Sequence, residues 1–271
     1  MVSFYQSGNP VHDSVIAAMY EGCPYDRVIV PDFEYTESDI AVVFGVFKKR
    51  VPVSWPRGRV ISEQIKAGKD VLILETGYIN RGDGKENHYA AGFNGLNGRA
   101  DFRNKGMPPD RAEKLGITLK PRRSGEEIIL CGQVPQDASV DHIDIGRWLY
   151  GAGNEIKART TRKVIFKPHP LAPVAPLKGL GYTQKPLSEV IANAHCVVTF
   201  NSNSAVEAVI DGVPVFAFDQ GSMALAVANT DWDAINDPVL PDRRQWLNDL
   251  TYTQWTPAEM REGLAWKHLF R

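Results

Sequence analysis

The feature that most constrains this chain is a repeated order of segments. A short apolar run rich in β-branched residues ends in a polar or glycine-containing turn, and a helix-spaced segment follows. In the first half, strand signals fall at residues 2–6, 27–30, 40–44 and 70–74, with helical spacing over 11–20 and 56–66. Pro56 stands in the first turn of the second helix, where its missing N–H costs nothing. The order restarts with strands at 127–131, 163–166, 196–200 and 213–218, and helices at 143–151, 186–194 and 205–211. Between the blocks, residues 79–125 carry many glycines, prolines and charges and read as long loop plus linker. Two such blocks predict an α/β chain of two Rossmann-like, doubly wound domains. The expected boundaries are 1–122, with a loop-rich insertion over 79–122, then 123–250, then a C-terminal helix over 251–271 carrying Trp255 and Trp266.

Composition narrows the classes. Lys and Arg number 31 against 32 Asp and Glu, a net charge of −1, so the chain is not a uniformly basic nucleic-acid coat. Local basic faces, at Lys157, Arg159, Arg162 and Lys163 or along the linker, read first as solvated surface. No apolar run reaches the ~18 residues of a membrane span, and residues 1–6 lack a signal-peptide pattern. Cys23, Cys131 and Cys196 have no C-x-x-C spacing and read as buried small hydrophobes in a reducing cytoplasm. No zinc framework, G-x-G-x-x-G, P-loop or G-x-S-x-G is present.

In doubly wound sheets, ligands bind beyond the carboxyl ends of the strands. The polar clusters sit there: Gly8-Asn9, Glu75-Thr76-Gly77, Gly132-Gln133, Lys167-Pro168-His169-Pro170 and Asn201-Ser202-Asn203-Ser204. They predict one site between the two domains. Asn201, Ser202 and Ser204 precede or open a helix, where free N–H groups favour an anion such as a diphosphate. Glu207 is placed to reach ribose hydroxyls, or to complete a capping box with Ser204. Lys167 and His169 can meet a phosphate, or lie in an exposed turn between prolines. Gly132 and Gln133 allow close backbone approach, or form a plain strand-to-helix turn. In the first block, Asp13, His12 and Glu75 are the candidate general bases. His88 is a further candidate, while His142, His195 and His268 read as structural.

Three of these motifs carry a resemblance. Gly132-Gln133-Val134 with Asp137-Ala138-Ser139, then Lys167-Pro168-His169-Pro170, then residues 199–208 with Gly212-Val213-Pro214-Val215, resemble segments of capsule-polysaccharide-type glycosyltransferases in the same order. The match spans about residues 127–222. It lacks the aromatic Gly-Trp-Gly segment that the family places after the Gly-x-Pro-Val strand. The resemblance implies a GT-B fold with two domains facing a cleft and a C-terminal helix crossing back. It implies a nucleotide-sugar donor, UDP-sugar foremost, on the second domain, contacted by Gln133, His169, Ser202, Ser204 and Glu207, with no metal and no other cofactor. The compact length, residues 6–10 and Gln254-Trp255-Thr256 are also similar to small GT-B-like proteins of tailed bacteriophages. That second likeness implies a hydroxymethylated pyrimidine of duplex DNA as acceptor, in the host cytoplasm. The rival readings are a transferase acting on a polysaccharide or glycolipid, a nucleotide-sugar 2-epimerase of the same fold, and a nucleotide-sugar or DNA binding protein without turnover. Oligomeric state is not legible in the sequence.

Overall fold

The computed structural model describes residues 1–48, 51–80 and 87–271. The chain runs β1 (Val2–Tyr5), α1 (Pro10–Glu21), β2 (Arg27–Val30), β3 (Ile40–Phe44), α2 (Trp55–Lys66), β4 (Asp70–Thr76), β5 (Tyr89–Phe93) and α3 (Asp110–Lys114). It continues with β6 (Glu127–Cys131), α4 (Ile145–Arg159), β7 (Val164–Lys167), β8 (Gly181–Tyr182), α5 (Leu187–Val190), β9 (Ala194–Thr199), α6 (Ser204–Ile210) and β10 (Val215–Ala217). The last stretch is α7 (Arg244–Thr251), β11 (Gln254–Trp255), α8 (Pro257–Arg261) and α9 (Leu264–Leu269). Two units result: Met1–Arg111 with Asn248–Arg271, and Ala112–Leu247.

The first unit holds a sheet of order β11-β5-β4-β3-β1-β2. β1, β2, β3 and β4 are parallel, and β5 and β11 are antiparallel additions. Alternation sorts the side chains, because successive strand residues point to opposite faces. Phe4, Val42, Leu72 and Leu74 pack on one face with Met19, Met260 and Trp266. Tyr5, Ala41, Val43, Val71 and Ile73 pack on the other with Val60 of α2. Asn9 starts α1: its Oδ1 accepts from the N–H of Val11 and His12, and Pro10 follows at the first helical position.

The C-terminal segment is built into this first core. It is a strand and two short helices rather than the single helix expected over 251–271. Trp266 donates from Nε1 to Met19 O at 2.8 Å and meets Phe4 edge-on. A Cβ on Gly22 would stand 1.9 Å from Met260 O, so α1 ends against α8 at a distance only glycine permits. Arg111, placed by the sequence among solvated linker charges, is buried. Its guanidinium pairs with both oxygens of Glu259 at 3.0 and 3.1 Å and donates to the carbonyls of Thr251 and Gln254. It also lies 3.9 Å from the centre of the Trp255 ring. Glu259 completes a capping box with Thr256 at the start of α8.

The second unit holds a sheet of order β10-β9-β6-β7-β8, parallel throughout. Ile128, Leu130, Val164, Phe166, Val198 and Phe216 form its core with Ile145, Leu149 and Ile156 of α4. The first boundary falls after Arg111 rather than Arg122, for a reason visible in the hydrogen bonds. Lys120 and Arg123 donate their backbone N–H to the carbonyls of Ile210 and Gly212, and both side chains bind the Asp211 carboxylate. The strap over 120–123 therefore belongs to the end of α6. Helix α4 is longer than the expected 143–151, and the expected helix over 186–194 is only α5 and a 3₁₀ turn. Within the loop-rich stretch lie β5 and α3, while Gly82 and Gly84 fall outside the described residues. Among the described residues no helix is long and apolar enough to cross a membrane.

Candidate active site

In the second unit, chain order reverses between β6 and β9, and the ends of those strands carry the predicted polar residues. Gln133 and Asn201 bind each other across that point. Asn201 N–H donates to Gln133 Oε1 at 3.0 Å, and Gln133 Nε2 donates to Asn201 Oδ1. Asn201 is buried and donates from Nδ2 to Ser139 O at 2.9 Å and to Asp219 Oδ1 at 2.7 Å. Asp219 also accepts from Gly221 N–H at 2.8 Å and lies 3.2 Å from His142 Nε2. The amides of Gln133 and Asn201 thus fix four loop segments before any ligand arrives. The sequence reading missed Asp219 and Ser139 and took His142 as structural. The available signal was an Asp just beyond a strand and two residues before Gly221.

Gly132 brings the next strand end close. A Cβ there would stand 3.2 Å from Pro168 Cα and 3.4 Å from His169 N. Lys167 ends β7 and is buried. The Cys131 thiol is pushed up to about 11 by burial, with the Ser204 hydroxyl, Lys167 and Glu207 as its polar neighbours. That set places Lys167, Ser204 and Glu207 in one neighbourhood. His169 accepts the N–H of Leu171 on Nδ1 at 3.1 Å. A neutral ring then carries its proton on Nε2, the tautomer that donates to a phosphate oxygen.

The start of α6 differs from the expected capping box. Asn203 occupies the cap without a side-chain bond, and Ser202 Oγ accepts from Ser204 N–H. Ser204 Oγ is buried, with the Cys131 thiol as its neighbour. Glu207 is exposed, with Asn203 Nδ2 at 3.4 Å.

In the first unit, the three candidate bases stand at the ends of β1 and β4 and at the start of α1. Asp13 is held by the preceding turn. Its Oδ1 accepts from Ser7 N–H at 2.6 Å and Ser7 Oγ at 3.1 Å, and its Oδ2 from Gly8 N–H at 2.9 Å. Three donors on one carboxylate lock the turn before α1. His12 stacks on Phe44 with ring centres 4.0 Å apart, and its buried Nδ1 has no hydrogen-bond partner among the described residues. Burial first, and the Arg57 charge second, hold the ring below the usual histidine range. Glu75 accepts Thr76 N–H on Oε1 at 2.9 Å.

Arg57 of α2 is the residue the sequence reading missed. Gly45 explains its entry: the backbone there is left-handed, φ +72°, and a Cβ would stand 3.1 Å from Arg57 Nη1 and 3.6 Å from Glu75 Oε2. Burial lowers the Arg57 pKa and the Glu75 carboxylate opposes that. Its Nε has no hydrogen-bond partner among the described residues. A cation, a carboxylate and an imidazole therefore share the strand ends of this unit. His88, the residue before β5, is buried, and its carbonyl accepts from Gly77 N–H.

Among the described residues no group of three His, Cys, Asp or Glu is arranged to hold a metal ion. The one Asp-x-Asp, Asp231 and Asp233, is structural: Asp231 accepts from Asp233 N–H, and Asp233 pairs with Arg159.

No protein-family model and no curated protein matches the sequence. Solved structures do. The KpsC β-Kdo 2,7-transferase of Thermosulfurimonas dismutans superposes with a TM-score of 0.58 at 15% identity, covering 97% of this chain and 98% of that one. The KpsC β-Kdo 2,4-transferase of the same organism superposes with a TM-score of 0.61 at 11% identity, covering 92% and 89%. At such identities the likeness is one of fold. The chain has the GT-B-like, Rossmann-type α/β fold of these structures along nearly its whole length.

Proposed function

We propose that the chain is a glycosyltransferase that moves a sugar from a nucleotide-sugar donor to a hydroxyl of a polysaccharide or glycolipid acceptor. The observation that carries the reading is the match in fold and extent to two proteins named as sugar transferases, combined with polar groups at the strand ends where such folds bind ligands.

In this reading the second unit holds the donor. His169 Nε2–H and the Lys167 ammonium bind the phosphate oxygens, and Glu207 takes the ribose hydroxyls. Gln133 and Asn201 orient the loops, with Gly132 giving access to the backbone. Ser202 holds the turn before α6, and Ser204 offers its hydroxyl. The first unit supplies the base. We take Glu75, which stands beside the Arg57 cation, as the leading candidate over Asp13, whose oxygens accept three hydrogen bonds from Ser7 and Gly8. A base takes the acceptor proton as the acceptor oxygen bonds to the anomeric carbon, and Glu75 is the candidate for that base. The bond from that carbon to the phosphate oxygen breaks, its electron pair leaves with the nucleotide, and His169 and Lys167 stabilise the departing charge. The reading requires no metal.

The test begins with thermal stabilisation by nucleoside mono- and diphosphates, uridine nucleotides first. Nucleotide release from the matched sugar donors is then measured with oligosaccharide, glycolipid or hydroxymethylated duplex DNA. Release that depends on a carbohydrate acceptor supports the reading. Release without acceptor gives the epimerase-type reaction. Release only with modified DNA moves the acceptor to DNA, which neither neighbour's name supports. No nucleotide binding removes the donor site.

A further inference from the structure

Helix α2 presents a second face that the transferase reading does not use. Trp55, Arg59, Ser62 and Lys66 follow one another at helical spacing, beside a stripe of Gly58, Ile61 and Ile65. With Phe47 these residues line an open groove of about 480 Å³. Trp55 is 52% exposed, Ile65 55% and Phe47 43%, three large apolar side chains in water on one face. Such clustering is unusual, since isolated exposed hydrophobics are ordinary and contiguous ones mark contact surfaces. Gly58 shapes the groove: a Cβ there would stand 2.8 Å from Phe47 Cδ2, so the ring lies directly on the helix.

The charges choose the occupant. Both charged residues lining the groove, Arg59 and Lys66, are basic. Lys66 is paired with Glu63 at 3.0 Å and remains 68% exposed. A neighbouring hollow that shares Trp55 and Arg59 with the groove is lined by the acids Asp32 and Glu34. An apolar stripe with an indole and flanking long basic side chains is the pattern of a helix that lies in a lipid headgroup layer. There the aliphatic stems bury and the charges meet lipid phosphates.

We infer that the groove formed by Phe47, Trp55 and Ile65, with Arg59 and Lys66, is a docking face for an anionic bilayer surface. The inference stands apart from the transferase reading. If both hold, α2 carries the bilayer contact on one face and Arg57 on another, and the acceptor belongs to the glycolipid class.

The experiment is vesicle binding by the full chain. Vesicles of one part phosphatidylserine to two parts phosphatidylcholine are compared with phosphatidylcholine alone, following sedimentation and Trp emission. The expected result is binding to the anionic vesicles only, weakened at least about tenfold in W55S/I65S. R59Q/K66Q should lose the preference for anionic lipid. All four side chains are on the surface, so thermal melts should match the parent and separate lost docking from lost folding. Absence of binding by the folded parent overturns the inference. So do equal binding to neutral vesicles and unchanged binding by both variants. A Trp55-dependent dimer in sedimentation equilibrium assigns the face to a second copy instead and likewise overturns it.

Discussion

Gln133 and Asn201 hydrogen-bond to each other twice across the point where strand order reverses in the second sheet. Asn201 also donates to Asp219, so a single amide ties the loops after β6, β9 and β10 together. N201A should leave Gln133 and the buried Asp219 carboxylate without this partner. The expected cost is about 1–3 kcal/mol in urea unfolding, with nucleotide affinity falling as well. Unchanged stability would show that the loops do not depend on this amide.

The first unit makes a separate prediction about the base. E75Q should reduce transfer at least about a hundredfold, with donor Kd within about twofold of the parent. D13N should act differently, loosening the turn at Ser7 and Gly8 and lowering Tm more than rate. If D13N abolishes transfer in a protein that melts like the parent, Asp13 is the base.

Arg57 should matter to turnover rather than to nucleotide binding. R57Q is expected to lower kcat, because it removes the cation beside Glu75, while leaving nucleotide-induced stabilisation in place. Loss of nucleotide binding in a folded R57Q protein would move Arg57 to the donor.

The closure of the first unit is testable through Arg111 and Glu259. E259A leaves a buried guanidinium facing Trp255 and two carbonyls, and should cost about 3–5 kcal/mol. An apolar replacement of both partners should cost less than E259A alone, because no buried charge is then stranded. Urea melts of the two variants make the comparison.

Acid should destabilise the fold through histidines that are buried neutral. His268 Nε2–H donates to Phe102 O at 2.9 Å in the core, and burial pushes its pKa down to about 4. Burial lowers His12 and His195 as well. The unfolded chain titrates near 6.5, so between about 6.5 and about 4 it binds more protons than the folded one. Stability is therefore complete above that window and falls as pH drops through it. The His268 share is at most about 3 kcal/mol. H268Q should flatten the slope of Tm against pH in this range. An unaltered slope would place the sensitivity elsewhere.

The strand-and-turn order, the α/β class and the clustering of polar residues at strand ends were legible because each is local. Alternation of apolar residues fixes which strand face is buried, and Gly8 and Gly132 mark turns where the backbone must bend or approach closely. Asn9 before Pro10 marks a helix start for the same local reason. What the tertiary structure decided depends on partners distant in sequence. Arg57 reaches Glu75 only because β3 and β4 are neighbours, and Asp219 reaches Asn201 only because β9 and β10 are. Arg111 looks like a solvated linker charge until Glu259, 148 residues away, closes on it. Asp13 reads as a candidate base in the sequence, and only the folded turn before α1 shows Ser7 and Gly8 donating to its oxygens. Composition and spacing report what a residue can do, whereas burial and hydrogen-bond partners, set by chain segments far apart in sequence, decide which of those capacities remains free.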